Sequence, residues 1–143
     1  MASGVYNNYK VRALGSGTAV DLDGDTIKLA LLTSSYTPDF DAHDFFDDVS
    51  ANEVGASGTY SAGGVTLSVT LTQDNTDDEG VFDATDVSWT SATITARYAV
   101  IYKSTGVAST SPLICLIDFG SNQVSTSGTF TITFASEGIL NIN

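Results

Sequence analysis

At 143 residues, 42% apolar and 10% aromatic, the chain has the composition of one globular domain, large enough to bury a core without a disulfide or a metal. Five Lys and Arg against seventeen Asp and Glu give a net charge of −12. Such a surface repels nucleic-acid phosphates and anionic lipid, so direct binding to nucleic acid or membrane is not expected. No apolar run approaches the roughly 18 residues that cross a bilayer. The opening stretch, MASGVYNNYKVRAL, places polar and charged residues where a signal peptide carries its apolar core, so the protein is expected to be made in the cytoplasm.

Residues 1–20 are expected to form an N-terminal arm or short helix ahead of a β domain spanning 21–143. Val5 to Leu14 suits one short helix, with Val5, Tyr9 and the Arg12 stem on one face and Gly15-Ser16-Gly17 as its stop. The alternative is an extended arm that reaches over a neighbouring subunit. DLDGDT then makes a turn before Ile27, Leu29 and Leu31, and the intervening Ala30 and Leu32 predict a strand covered on both faces. In Asp41 to Val49, the spacing of Phe45, Phe46 and Val49 predicts a short buried helix, with Asp41 as its N-cap and Asp44 in its first turn.

Val65, Leu67, Val69 and Leu71 alternate with Thr66, Ser68, Thr70 and Thr72, which reads as one strand with a wet face. QDNTDDEG (73–80) is an acidic loop. Val81 to Trp89 is expected to be a strand broken or bulged around Asp83 to Asp86. From Thr93 to Lys103 the alternation returns, with Ile94, Ala96, Tyr98, Val100 and Tyr102 on one face. Ser104 to Pro112 is a connection, Leu113 to Phe119 a strand buried on both sides, and Gly128 to Phe134 and Gly138 to Ile142 the last strands. Seven or so strands separated by turn residues predict an all-β, single-domain β-sandwich, jelly-roll-like in plan. Its expected core is Val65, Leu67, Val69, Ile94, Tyr98, Val100, Leu113, Ile117, Phe130, Ile132 and Phe134.

Three groups of residues invite chemistry. Asp21, Asp23 and Asp25 resemble the start of a calcium loop, but Thr26 and Leu32 stand where an EF-hand needs its Gly and its bidentate Glu, so a turn without metal is expected. Asp39, Asp41, Asp44, Asp47 and Asp48 surround His43, the only histidine. One imidazole is too few for a catalytic zinc site, and a solvated, capped loop is the reading. Cys115 is alone within an apolar run, which marks a buried thiol. No cofactor, no metal and no catalytic residue is expected. Among the aromatic residues, Tyr6, Tyr9, Tyr36 and Phe40 lie in segments poorly placed to bury them, and with Lys10 and Arg12 they form the expected interface.

Five blocks carry a resemblance: YNNYK (6–10), DLDGDTIKLALLTSSYTPDFDAHDFFDDV (21–49), QDNTDDEGVFDATDVSW (73–89), SATITARYAVIYKSTGVASTSPLICLIDFGS (91–121) and the closing TFTITFASEGILNI. In this order they resemble a family of small structural proteins of tailed bacteriophages. The resemblance implies a virion component and brings no catalytic residue. A capsid decoration protein that stabilises the head by protein–protein contacts is expected, with the major capsid protein or another virion protein as partner and a homo-oligomer, a trimer first, as its form. The alternative is a tail or fibre component that binds host-surface glycans through Tyr36, Phe40, Trp89 and the acidic loops.

Overall fold

The computed structural model describes residues 3–143. Met1 and Ala2, the first two residues of the expected arm, lie outside the described residues. Two antiparallel sheets pack into a β-sandwich. The chain order is β1 (Gly4–Val5), α1 (Asn7–Ala13), β2 (Ile27–Leu32), α2 (Asp47–Ser50), β3 (Val65–Thr66), β4 (Val69–Asp74), β5 (Glu79–Ala84), β6 (Val87–Lys103), β7 (Leu113–Ile132) and β8 (Leu140–Ile142), with one 3-10 turn at Ala108–Thr110. The larger sheet runs β1-β7-β6-β2-β3 and the smaller β4-β5-β8.

The larger sheet is buried on both sides where β2 lies beside the end of β6 and the start of β7, as the unbroken apolar text of β2 requires. Ile27, Leu29 and Leu31 share one core with Ile101, Trp89 and Phe130 and with Phe82 and Ala84 of the smaller sheet. Ala30 and Leu32 face the other way, where Tyr98, Val100 and Tyr102 meet Tyr36, Phe46 and Val49 of the 33–50 segment. Of the expected core, Leu67, Ile94, Tyr98, Val100, Leu113, Phe130 and Ile132 are buried, whereas Val65, Val69, Ile117 and Phe134 are partly buried at its margins.

β6 and β7 form one long hairpin whose register shifts between Trp89 and Ala92, between Ala92 and Ile94, and again between Ala96 and Tyr98. Ser91 takes a positive φ of 52° at the first of these breaks and Ser127 one of 44° at the second. Bulges of this kind bend a ribbon and increase its twist. The bend lets a single 20-residue strand serve the core from end to end, where the sequence reads as two strands.

The segment from 4 to 13 is a packed part of the sandwich. β1 pairs antiparallel with β7, Gly4 opposite Leu116 and Val5 opposite Cys115. Tyr6 is 0% and Tyr9 5% exposed, one in each core cluster, so the helix closes the sheet edge and an arm free to reach a neighbour is not what forms. The expected helix at 41–49 is also corrected. α2 begins only at Asp47, with Phe46 at its N-cap and no side-chain cap, and Asp48 Oδ2 reaches back to accept the Asp44 and Phe45 N–H groups of the preceding loop at 2.9 and 3.2 Å, so Asp41 caps nothing here.

Candidate docking groove

An open groove of about 700 Å³ runs beside the outer edge of β7. Thr129 to Ala135 all border it. A run of consecutive residues means that the strand's backbone edge, and not one of its faces, forms the wall. Ile117, Phe119 and Ile139 supply apolar surface, and Phe119 lies 6.4 Å from the Phe130 ring, which in turn lies 6.1 Å from Trp89. Among the described residues β1 is the only strand on this side of β7, and it stops at Leu116. Val124, beyond that point, is 65% exposed.

Asp118 marks where the covered part of this edge ends. Its backbone N–H donates to Ser3 Oγ at 2.9 Å, and its carboxylate accepts two bonds from Arg97, at 2.8 Å from Nε and 3.3 Å from Nη2. The Arg97 bond, reinforced by the Gly120 N–H, holds the Asp118 carboxyl down at about 2. From there to Glu137 the chain carries no charged side chain. The groove wall is therefore neutral in a strongly acidic protein.

The residues expected to form an interface lie elsewhere, and most are inside. The Tyr6 and Tyr36 hydroxyls are 2.9 Å apart, and the Tyr36 hydroxyl is 2.9 Å from His43 Nδ1, a chain that ties the N-terminal segment to the 33–50 loop. Burial pushes the Tyr6, Tyr9 and Tyr36 phenols upward, away from ionisation. Phe40 is partly buried, 5.2 Å from the Tyr6 ring. Arg12 is 9% exposed, with its guanidinium carbon 5.0 Å from the Phe45 ring centre and Nη1 donating to the Thr18 carbonyl at 3.3 Å. Lys10 alone of the six stands exposed, donating to Asn7 Oδ1 at 2.8 Å. The text of these rings lies outside the alternating strands, and irregular segments that fold back over a sheet leave no periodic signature of their burial.

The carboxylates mostly serve the backbone. Asp21 Oδ1 accepts the Asp23 and Gly24 N–H groups, each at 3.1 Å, and Asp25 Oδ2 accepts the Asp21 N–H at 2.7 Å while pairing with Lys103 Nζ at 2.9 Å. Asp39 Oδ1 accepts from Asp41 and Ala42 at 3.1 and 3.0 Å. Asp44 is pushed upward, first by burial and then by the Asp48 charge. Asp74, Asp77 and Glu79 bring one oxygen each within 4.8 Å of one another, the spacing a metal ion would need. The 73–80 text announced only an acidic loop, because the β4–β5 turn that folds these three together is not visible in composition. Cys115 is buried, which pushes its thiol up to about 12.

No family model, no curated protein and no solved structure matches this chain.

Proposed function

We propose that this chain is an accessory structural protein of a tailed-phage virion, a capsid decoration protein that works by adhesion. The text of the five blocks supports the virion setting. The carrying observation for adhesion is the neutral groove along β7, and the single histidine, the single cysteine and several carboxylates are engaged within the fold. His43 is bonded to Tyr36, Cys115 is buried as a high-pKa thiol, and the carboxylates at 21, 39 and 48 hold loop N–H groups. What remains on the surface is shape, apolar area and negative charge, the means by which one protein holds another.

The glycan-binding alternative draws no support from ring placement. Tyr36 and Trp89 are each 3% exposed, and Phe40 is partly buried against the Tyr6 ring, so the three named rings form no open stacking platform. The partner is a virion protein such as the major capsid protein, and the acidic loops at 39–48 and 74–79 suit basic surface on it. Quantitative mass spectrometry of purified particles tests this: hundreds of copies per particle are expected, and a dozen or fewer, or absence from particles, would overturn the capsid assignment. A particle-incorporation assay with the lining variant Phe119→Asp should show reduced occupancy, while Lys10→Ala should incorporate normally.

A further inference from the structure

The free edge of β7 has the properties of a self-complementary contact. Sheet edges left open to solvent are ordinarily guarded by charge, by proline or by shortness. Elsewhere among the described residues β3 has 2 residues, β8 has 3, β4 runs into the acidic turn at Asp74, and β6 beyond its pairing with β2 is met by the 57–59 loop, where Thr90 bonds Thr59 and Thr93 bonds Ser57. β7 is different. Beyond Leu116 its outer side carries no partner strand among the described residues, and from Phe119 through Ser136 there is neither charge nor proline.

The geometry points to a second copy of this chain as the occupant, paired antiparallel through Gly128–Ile132 about a two-fold axis at Phe130. This deepens the adhesive reading of the groove and rests on it. Three observations select the occupant. First, every copy carries a net charge of −12, so most contacts between copies set carboxylate against carboxylate, and this neutral edge is where two copies approach without doing so. Second, a basic partner would be drawn to the acidic loops and would gain nothing from an uncharged wall. Third, the same edge already accepts an antiparallel strand of this chain, since β1 lies against Cys115 and Leu116.

The break at Ser127, where φ is 44°, sets the near limit of the pairing and leaves Gly128 to Ile132 as the last run of β7. In that register Thr129 of one copy lies opposite Thr131 of the other on the solvent face. On the opposite face the partly buried Phe119 and Ile139 at the groove would be covered. Pairing of a strand with itself is isologous and closes at two, whereas a trimer would require β7 to meet a different edge. A short ladder with a modest apolar flank lies at the small end of stable interfaces, so a dimer with a dissociation constant of about micromolar order is expected.

The test uses the full chain in sedimentation velocity from about 1 to about 200 μM. A reversible monomer–dimer equilibrium is expected, with amide exchange at 128–132 slowing as the dimer fills. Thr129→Lys/Thr131→Lys and, separately, Thr129→Glu/Thr131→Glu place like charges opposite each other and should weaken the dimer by about tenfold or more. Mixing the two variants should restore a heterodimer, which a merely damaged fold could not do. A wild-type chain that stays monomeric, a trimer, or a dimer indifferent to both variants would overturn the inference. Particle incorporation is scored separately, so a wild-type chain that stays monomeric in solution yet incorporates normally would sink this contact and leave the decoration reading standing.

Discussion

The Tyr6–Tyr36–His43 chain has a direction that mutation can expose. Tyr6 is 0% exposed, and its hydroxyl meets only that of Tyr36, which in turn reaches His43 Nδ1. Tyr36→Phe would remove the shared partner and leave the buried Tyr6 hydroxyl without that hydrogen bond, a loss of about 1–3 kcal/mol. Tyr6→Phe removes the end of the chain together with its need for a partner and should cost less. Urea midpoints of the two variants check this order, and equal costs would count against a connected chain. Asp118 gives a second residue-scale expectation, in acid. Its folded carboxyl holds its proton less tightly than the unfolded value of about 3.9. The stabilisation is therefore complete above that value and is lost as pH falls towards about 2. Melting temperature should fall more steeply across this window in the wild type than in Asp118→Asn, and parallel curves would show that the Arg97 pair contributes nothing.

At the scale of elements, alternation announced the strands but not the sheets they join. Val65, Leu67, Val69 and Leu71 keep one phase in the sequence, yet the chain leaves the larger sheet after Thr66 and enters the smaller at Val69. Leu67 is buried at the crossing, so the apolar rhythm continues where the hydrogen-bond partners change. The same limit hid the break between β5 and β6, read as one interrupted strand, and the continuity of β7, read as two. Gly64, which closes the turn leading into β3, was legible only as one of several turn glycines. Its φ is +75°, and a Cβ there would stand 1.8 Å from the Leu29 carbonyl oxygen. Gly64→Ala should therefore cost about 3 kcal/mol or more, because backbone on both sides must move. Gly106→Ala makes the control: φ is +86° with nothing within 4 Å of the added carbon, so only the left-handed penalty of about 1–2 kcal/mol applies. Chemical denaturation of the pair checks the contrast, and similar losses would mean that Leu29 yields easily.

At the scale of the whole molecule, charge was the most legible property and its distribution the least. Composition announces a net charge of −12, but only the fold shows that β7 turns an uncharged stretch into an open edge. Two acidic bodies meeting at a neutral edge still repel through their remaining surface, over a Debye length of about 10 Å at 0.1 M salt and about 3 Å at 1 M. Screening removes that repulsion and leaves the strand ladder and the covered apolar groups intact. Association of this chain with itself should therefore tighten as sodium chloride rises from about 0.02 M to about 0.5 M. A contact between its acidic loops and a basic partner runs the other way and weakens over the same range. Sedimentation at fixed protein concentration across the salt series separates the two. A self-association constant that falls with salt would place carboxylates inside the contact and rule out the neutral edge as its centre.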